Sequence, residues 1–283
     1  MTEVQGLTFT EAPHIHSRGT VAKRFWGQGA ALLPVVLAGV YFGGGEFLRV
    51  LLVSLVSAIA FEFLGAKLLG RKDRVQNGEA VLIAGLIAVL MPPRSSPEMV
   101  LLSTFLAVFV AKELCGGMGE YLFHPVLLAF VFLEGIFPAA AEEPLVFSGG
   151  VWSFAAVTSG GLLLVRQRLG YREAPVLFAG LSFLLLTILG RWGSDPWRVA
   201  VTVLFPAFFL LADPVPMPMT RRGTRWFAAG AALLGVIGSP AGYTIAGAGF
   251  AILLMGLMAP WLDLWFRPGP AEEDEKGSEG GPP

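Results

Sequence analysis

Apolar residues in this chain come in long runs. They fall at about 27–43, 47–69, 79–92, 98–114, 122–139, 150–165, 174–190, 197–213, 225–239 and 243–266, separated by glycine, proline or charge clusters. A bilayer core of about 30 Å takes about 20 helical residues to cross. The pattern therefore predicts an all-α integral membrane protein with about ten transmembrane helices. The runs 79–92 and 225–239 are short, so they require tilt, extension into their polar flanks or a re-entrant path.

Composition strengthens this reading. Of 283 residues, 54% are hydrophobic and 14% charged, and the mean hydropathy is +0.67. Soluble domains carry about 25% charged residues, so too little charge is present to cover a water-facing surface. Ten spans use most of the length and leave short loops. The expected organisation is a polar cytoplasmic segment at 1–26, one polytopic transmembrane domain at 27–267 and a disordered acidic tail at 268–283. No cleaved signal pattern precedes the first run. Soluble redox or nucleotide chemistry would then come from partner subunits. The single cysteine, Cys115, makes neither an internal disulfide nor a CxxC metal site.

Charge fixes the orientation. With the N-terminus inside and ten alternating spans, the inside set holds Arg18, Lys23 and Arg24, then Lys67, Arg71, Lys72, Arg74 and Lys112, then Arg166, Arg168 and Arg172, then Arg221, Arg222, Arg225, Arg267 and Lys276. Only Arg49, Arg94, Arg191 and Arg198 fall outside. Cytoplasmic enrichment of Lys and Arg is the expected bias, so both termini are predicted inside.

Acidic groups within apolar runs are the candidate chemistry, because charge at bilayer depth costs about 2.5–3.5 kcal/mol and marks a pathway or a pair. Glu62 sits in Ala60-Phe61-Glu62-Phe63-Leu64 and Asp213 ends a run before Pro214. The plainer readings are an interfacial Glu62 paired with Lys67 or Arg71, and Asp213 as a turn residue. Glu134 is read as a residue near an interface. Gly116, Gly117 and Gly119, followed by His124 and Pro125, break the chain between two runs. Such breaks occur in membranes where they are buried in protein or line a cavity. His124 is read as packed or hydrogen-bonded, and His14 and His16 as tail residues. No metal site is predicted. Glycine pairs such as Gly160-Gly161 fit close helix packing. No Walker A, GxSxG or HExxH pattern is present, and nothing points to nucleic acid.

In order and spacing, several strings resemble the RnfD/NqrB family of membrane subunits over residues 10–268. They are Ala12-Pro13-His14-Ile15-His16-Ser17, Phe61-Glu62-Phe63, Asn77-Gly78-Glu79-Ala80, the break from Lys112 to Pro125, Ala212-Asp213-Pro214-Val215-Pro216-Met217-Pro218-Met219-Thr220, and Phe250-Ala251-Ile252-Leu253-Leu254-Met255. The resemblance implies a multi-pass subunit of a Rnf/Nqr-type complex in a bacterial cytoplasmic (inner) membrane. Such complexes couple electron transfer to Na⁺ or H⁺ movement. The partners implied are other membrane subunits and Fe–S and flavin subunits. Alone the chain would be part of a translocase rather than an enzyme in itself.

The resemblance also implies an ion pathway at Glu62 and Asp213, and a non-covalent flavin (riboflavin or FMN) in a cavity at Gly116, Gly117, Gly119 and Pro125. Family members further esterify FMN to a threonine in an SGAT-like motif after the fifth span. Between Pro138 and Val151 this chain has no threonine, so no covalent FMN is expected. The family's Asn-Pro is His124-Pro125 here, and its Asp-Gly-Ser-Ala is Asn77-Gly78-Glu79-Ala80. A small-solute transporter and a non-redox membrane anchor are the competing readings.

Overall fold

The computed structural model describes residues 21–70, 77–117, 121, 123–137, 144–167, 173–211, 217–239 and 242–267. Among these there is helix and no strand. The elements are α1 (Val21–Leu68), α2 (Glu79–Leu90), α3 (Pro97–Thr104), which continues as a π-helical stretch Phe105–Leu114, α4 (Pro125–Ile136), α5 (Leu145–Ser148), α6 (Gly150–Gln167), α7 (Glu173–Ile188), α8 (Pro196–Phe205), which continues as a π-helical turn Pro206–Leu210, α9 (Arg221–Ile237) and α10 (Ile245–Trp265).

Each of the ten apolar runs forms helix over most of its described residues. The first two share α1, which is broken at Gly44 (φ 53, ψ −133). A side chain there would be strained because φ is positive. The Phe47 ring lies where a Cβ on Gly39 would project. Eight residues of continuous helix would separate the two by about 12 Å, so the chain turns back on itself at Gly44. The two arms, 21–43 and 45–68, are each about 35 Å long at 1.5 Å per residue. By length and composition, Val21–Leu68 and Ile245–Trp265 suffice to cross a bilayer, and five further helices are apolar but shorter.

The centre of the bundle is α2. Ten of its 12 residues are buried, which is the signature of a helix apolar on all sides. Both arms of α1, the α3 stretch and α4 pack around it. Serine hydroxyls pin the layers together: Ser54 donates to the Ala84 carbonyl at 3.1 Å, and Ser57 and Thr104 share a bond of 2.8 Å. On the other side α7 packs on α9 and α9 on α10. Close approach there and at α6 depends on small residues. A Cβ on Gly160 would strike the Ala31 carbonyl.

The periphery is apolar. Leu37, Leu52, Val56, Leu162, Val176 and Ile188 are all exposed. Tryptophan and tyrosine stand exposed near helix ends, among them Trp26, Tyr41, Trp152, Trp226 and Trp265.

Candidate functional site

Two short helices create the site. Both α2 and α4 have 12 residues, about 18 Å at 1.5 Å each, which falls well short of a 30 Å core. Their N-termini meet inside the bundle. The start of α2 follows Gly78, which adopts a left-handed conformation (φ 79) with no side-chain cap and packs against Trp26. Glu79 then places a carboxylate in the first turn, where the helix dipole favours negative charge. The start of α4 is capped by His124, whose Nδ1 accepts from Leu127 N at 3.4 Å, with Pro125 at the first helical position. An accepting Nδ1 carries no proton. His124 is thus a buried helix cap, in keeping with its reading as a hydrogen-bonded histidine.

Against Glu79 lies a buried ion cluster. The Lys112 ammonium is 2.5 Å from Glu62 Oε1, 3.0 Å from Glu79 Oε2 and 3.7 Å from Glu113 Oε1. The Lys112 side chain is 1% exposed and that of Glu62 is 3%. Charges this deep persist only when paired. Three elements deliver them: the second arm of α1, the start of α2 and the end of the α3 stretch. Glu62 precedes the end of α1 at Leu68 by six residues, about 9 Å of helix. Gly65, one turn further on, lets the Glu113 side chain lie flat on α1. Lys112 and Glu113 sit in a π-helical stretch, a rare geometry that recurs at functional sites. It closes where Gly117 N bonds back to the Lys112 carbonyl at 2.9 Å. Glu62 Oε2 is buried without a hydrogen-bond partner.

The structure changes the reading of Glu62. Its partner is Lys112, 50 positions away, rather than Lys67 in the next turn, and Arg71 lies outside the described residues. Glu79 and Glu113 join the site although their local sequence marks them only as a helix-start and a loop residue. A usable signal is present: Lys112-Glu113 interrupts an apolar run, and a charge at that depth requires an opposite one.

Gly116 (φ 124) and Gly117 (φ 93) form the left-handed turn after Cys115. Pro125 lines a cavity of about 20 Å³ together with Gln28, Glu79, Tyr121 and His124. That is room for one water molecule and far below the ~300 Å³ at which ligand pockets begin. Asp213 and Gly119 lie outside the described residues. Among the described residues, no three His, Cys, Asp or Glu side chains are disposed to hold a metal.

At the opposite end of α2 and α4 is a larger chamber of about 280 Å³. Leu90, Pro92, Phe130, Glu134, Pro144, Phe147, Thr202, Thr244, Ile245 and Ala246 line it. Glu134 is half-buried on its wall.

The profile of the NQR2, RnfD, RnfE family matches residues 8–145 and 142–272. The chain is 29% identical to the D-type subunit of the ion-translocating oxidoreductase complex of Methanosarcina acetivorans, over 93% of this chain and 96% of that one. It is 26% identical to the D-type subunit of the proton-translocating ferredoxin:NAD(+) oxidoreductase complex of Clostridium ljungdahlii, over 93% and 95%. To the D-type subunit of the ion-translocating oxidoreductase complex of Aliivibrio salmonicida it is 25% identical, over 92% and 96%. That last alignment runs to 338 positions, so the Aliivibrio protein carries several tens of residues without a counterpart here.

Proposed function

Because the chain belongs to the NQR2, RnfD, RnfE family, we propose that it is the D-type membrane component of a Rnf-type complex that couples electron transfer to Na⁺ or H⁺ movement. The family resemblance seen in the ordered strings is thereby borne out. The observation that carries the ion-handling role is the buried Lys112–Glu62 pair, with Glu79 and Glu113 beside it, inside a bundle whose outer surface is apolar.

The topology proposed is ten crossings of a cytoplasmic (inner) membrane with both ends inside. It is supported by the coincidence of the ten apolar runs with helix and by the sixteen-to-four charge asymmetry. In this arrangement exposed Trp26, Trp226 and Trp265 lie at the inner interface, and Tyr41, Trp152 and Trp197 at the outer one, the two levels where aromatic belts form. The cluster then lies about 9 Å inside the inner end of α1, at the inner ends of α2 and of the α3 stretch. The chamber opens toward the outer face.

Electron carriers come from partner subunits. One cysteine cannot supply the four thiolates of an Fe–S cluster. The cavity that Pro125 lines, about 20 Å³, is too small for a flavin. Covalent FMN is absent in this reading, because residues 139–150 contain no threonine. Two observations support a shortened loop at that place: the two family matches meet at 142–145, and the Aliivibrio alignment is much longer than this chain. An FMN-sized adduct on any threonine in peptide mass mapping would overturn it.

Glu62 offers a carboxylate oxygen to a cation crossing a low-dielectric region, and Asp213 is the second acidic position on the route. In the intact complex in proteoliposomes, Glu62→Gln is expected to lower the ions moved per electron at least tenfold with assembly and electron transfer retained. Full assembly with unchanged pumping rules the route out, and Asp213→Asn is read in the same way. Paired short helices whose N-termini meet in the membrane also occur in solute transporters. Uptake of a small solute by the chain without its partners would favour that reading.

A further inference from the structure

The carboxylates of the cluster already hold a cation, and that cation is part of the chain. The Lys112 ammonium lies within 3.7 Å of an oxygen from each of Glu62, Glu79 and Glu113. Any small cation received by the Glu62 carboxylate would sit within a few ångströms of that ammonium. Like charges repel strongly at that spacing in a medium of low polarity, so both cannot hold the same oxygen together.

The surroundings give Lys112 somewhere to go. Its stem is flexible and its three donors rotate freely. Glu79 and Glu113 offer the ammonium two further carboxylate oxygens, at 3.0 and 3.7 Å. Glu62 keeps a second oxygen, Oε2, enclosed and without a hydrogen-bond partner. A small cation can thus find one oxygen on Glu62, and a water-sized, mostly apolar cavity, bounded by Gln28, Tyr121 and His124, lies beside Glu79.

We propose that Lys112 is a tethered counter-cation that competes with the transported cation for Glu62 and shifts toward Glu79 and Glu113 each time that cation enters. The proposal rests on the ion route through Glu62. Na⁺ would be coordinated by a Glu62 oxygen, and H⁺ would form an O–H bond on it that breaks again on release; in both cases a positive charge arrives at the carboxylate as the ammonium leaves it. No bond to Lys112 forms or breaks, and the charge of the cluster rises by one until the cation moves on. The positive charge alone is not enough for this role. It needs a stem that can move, which the planar, bidentate guanidinium of arginine does not match.

The test uses the whole complex in proteoliposomes, with Na⁺ titrated at fixed pH in one arm and pH varied without Na⁺ in the other. Lys112→Met removes the competitor. The cation concentration for half-maximal coupled transport should fall at least tenfold, and the maximal rate should fall with it, because the cation is now released slowly. Lys112→Arg should lower the maximal rate without lowering the half-saturating concentration. A purely structural lysine would not produce a tighter half-saturation. A shift in the Na⁺ arm identifies Na⁺ as the competitor, and a shift of one pH unit or more in the other arm identifies the proton. If Lys112→Met does not assemble, Glu113→Gln/Lys112→Met removes one charge of each sign, leaves Glu62 in place and is read identically. An assembled variant with unchanged or raised half-saturation overturns the proposal. If Glu62→Gln abolishes pumping in the same preparation, the ion route survives that failure. If Glu62→Gln pumps normally, both fall.

Discussion

The two ends of α2 and α4 show what the same pair of helices can be made to do. At the N-terminal end the space is filled: Lys112, Glu62, Glu79 and Glu113 pack within hydrogen-bonding or ion-pairing reach, and the neighbouring cavity holds about 20 Å³. At the C-terminal end, 11 residues along α2 and about 17 Å away, the walls mix Leu90, Phe130, Phe147 and Ile245 with Glu134, Thr202 and Thr244, and the space is about 280 Å³. Helix polarity favours Glu79 at the start of α2 and Lys112 in the last turn of the α3 stretch. Glu62 and Glu113 lie near helix C-termini, and the enclosed lysine offsets their charge. Pro144, at the edge of the chamber, adjoins the stretch where the two family matches meet.

Three measurements probe this contrast, beginning with the largest effect. Lys112→Ala leaves buried carboxylates facing an empty site, and loss of one partner of a buried pair costs about 3–5 kcal/mol. Thermal unfolding of the detergent-solubilised protein should show it, and Glu62→Gln/Lys112→Met should recover most of the loss. A single variant as stable as the parent would mean that the cluster is held by other charges.

The second is a pair of added atoms. Gly65→Ala would press a methyl against the Glu113 side chain, whose Cγ lies 2.6 Å from the ideal Cβ position, at a cost of about 1–3 kcal/mol. Ala246→Leu projects into the chamber and should cost less than about 1 kcal/mol, since it fills space rather than displacing atoms. Equal losses at the two sites would erase the distinction between a packed end and an open one.

The smallest effect lies at the surface. Arg225 donates to Glu173 at 2.9 Å, but the side chains are 57% and 44% exposed. Glu173→Gln should change stability by less than about 1 kcal/mol, with any difference vanishing as salt is raised. A salt-insensitive loss would place that pair in a drier setting than its exposure implies.

Much of this is legible in the sequence. The runs that form α6, α7, α9 and α10 are read within a few residues of their observed ends, because continuous apolarity has one stable outcome when water is absent: a helix that satisfies its own backbone. The gap between 43 and 47 locates the break at Gly44. The site is legible only in part. Glu62 stands out as a charge in an apolar run, and Lys112 as a charge at the end of another, but neither names its partner. The pairing is set by an approach across 50 residues, which no local pattern records.

The sequence by itself determined the solvent, the secondary structure and the family, since each follows from local composition and ordered strings. The tertiary structure alone decided which charges meet. Helix packing carries Glu62, Glu79, Lys112 and Glu113 from three elements to one point. The energy of a buried charge depends on its neighbours in space rather than on its neighbours in the chain.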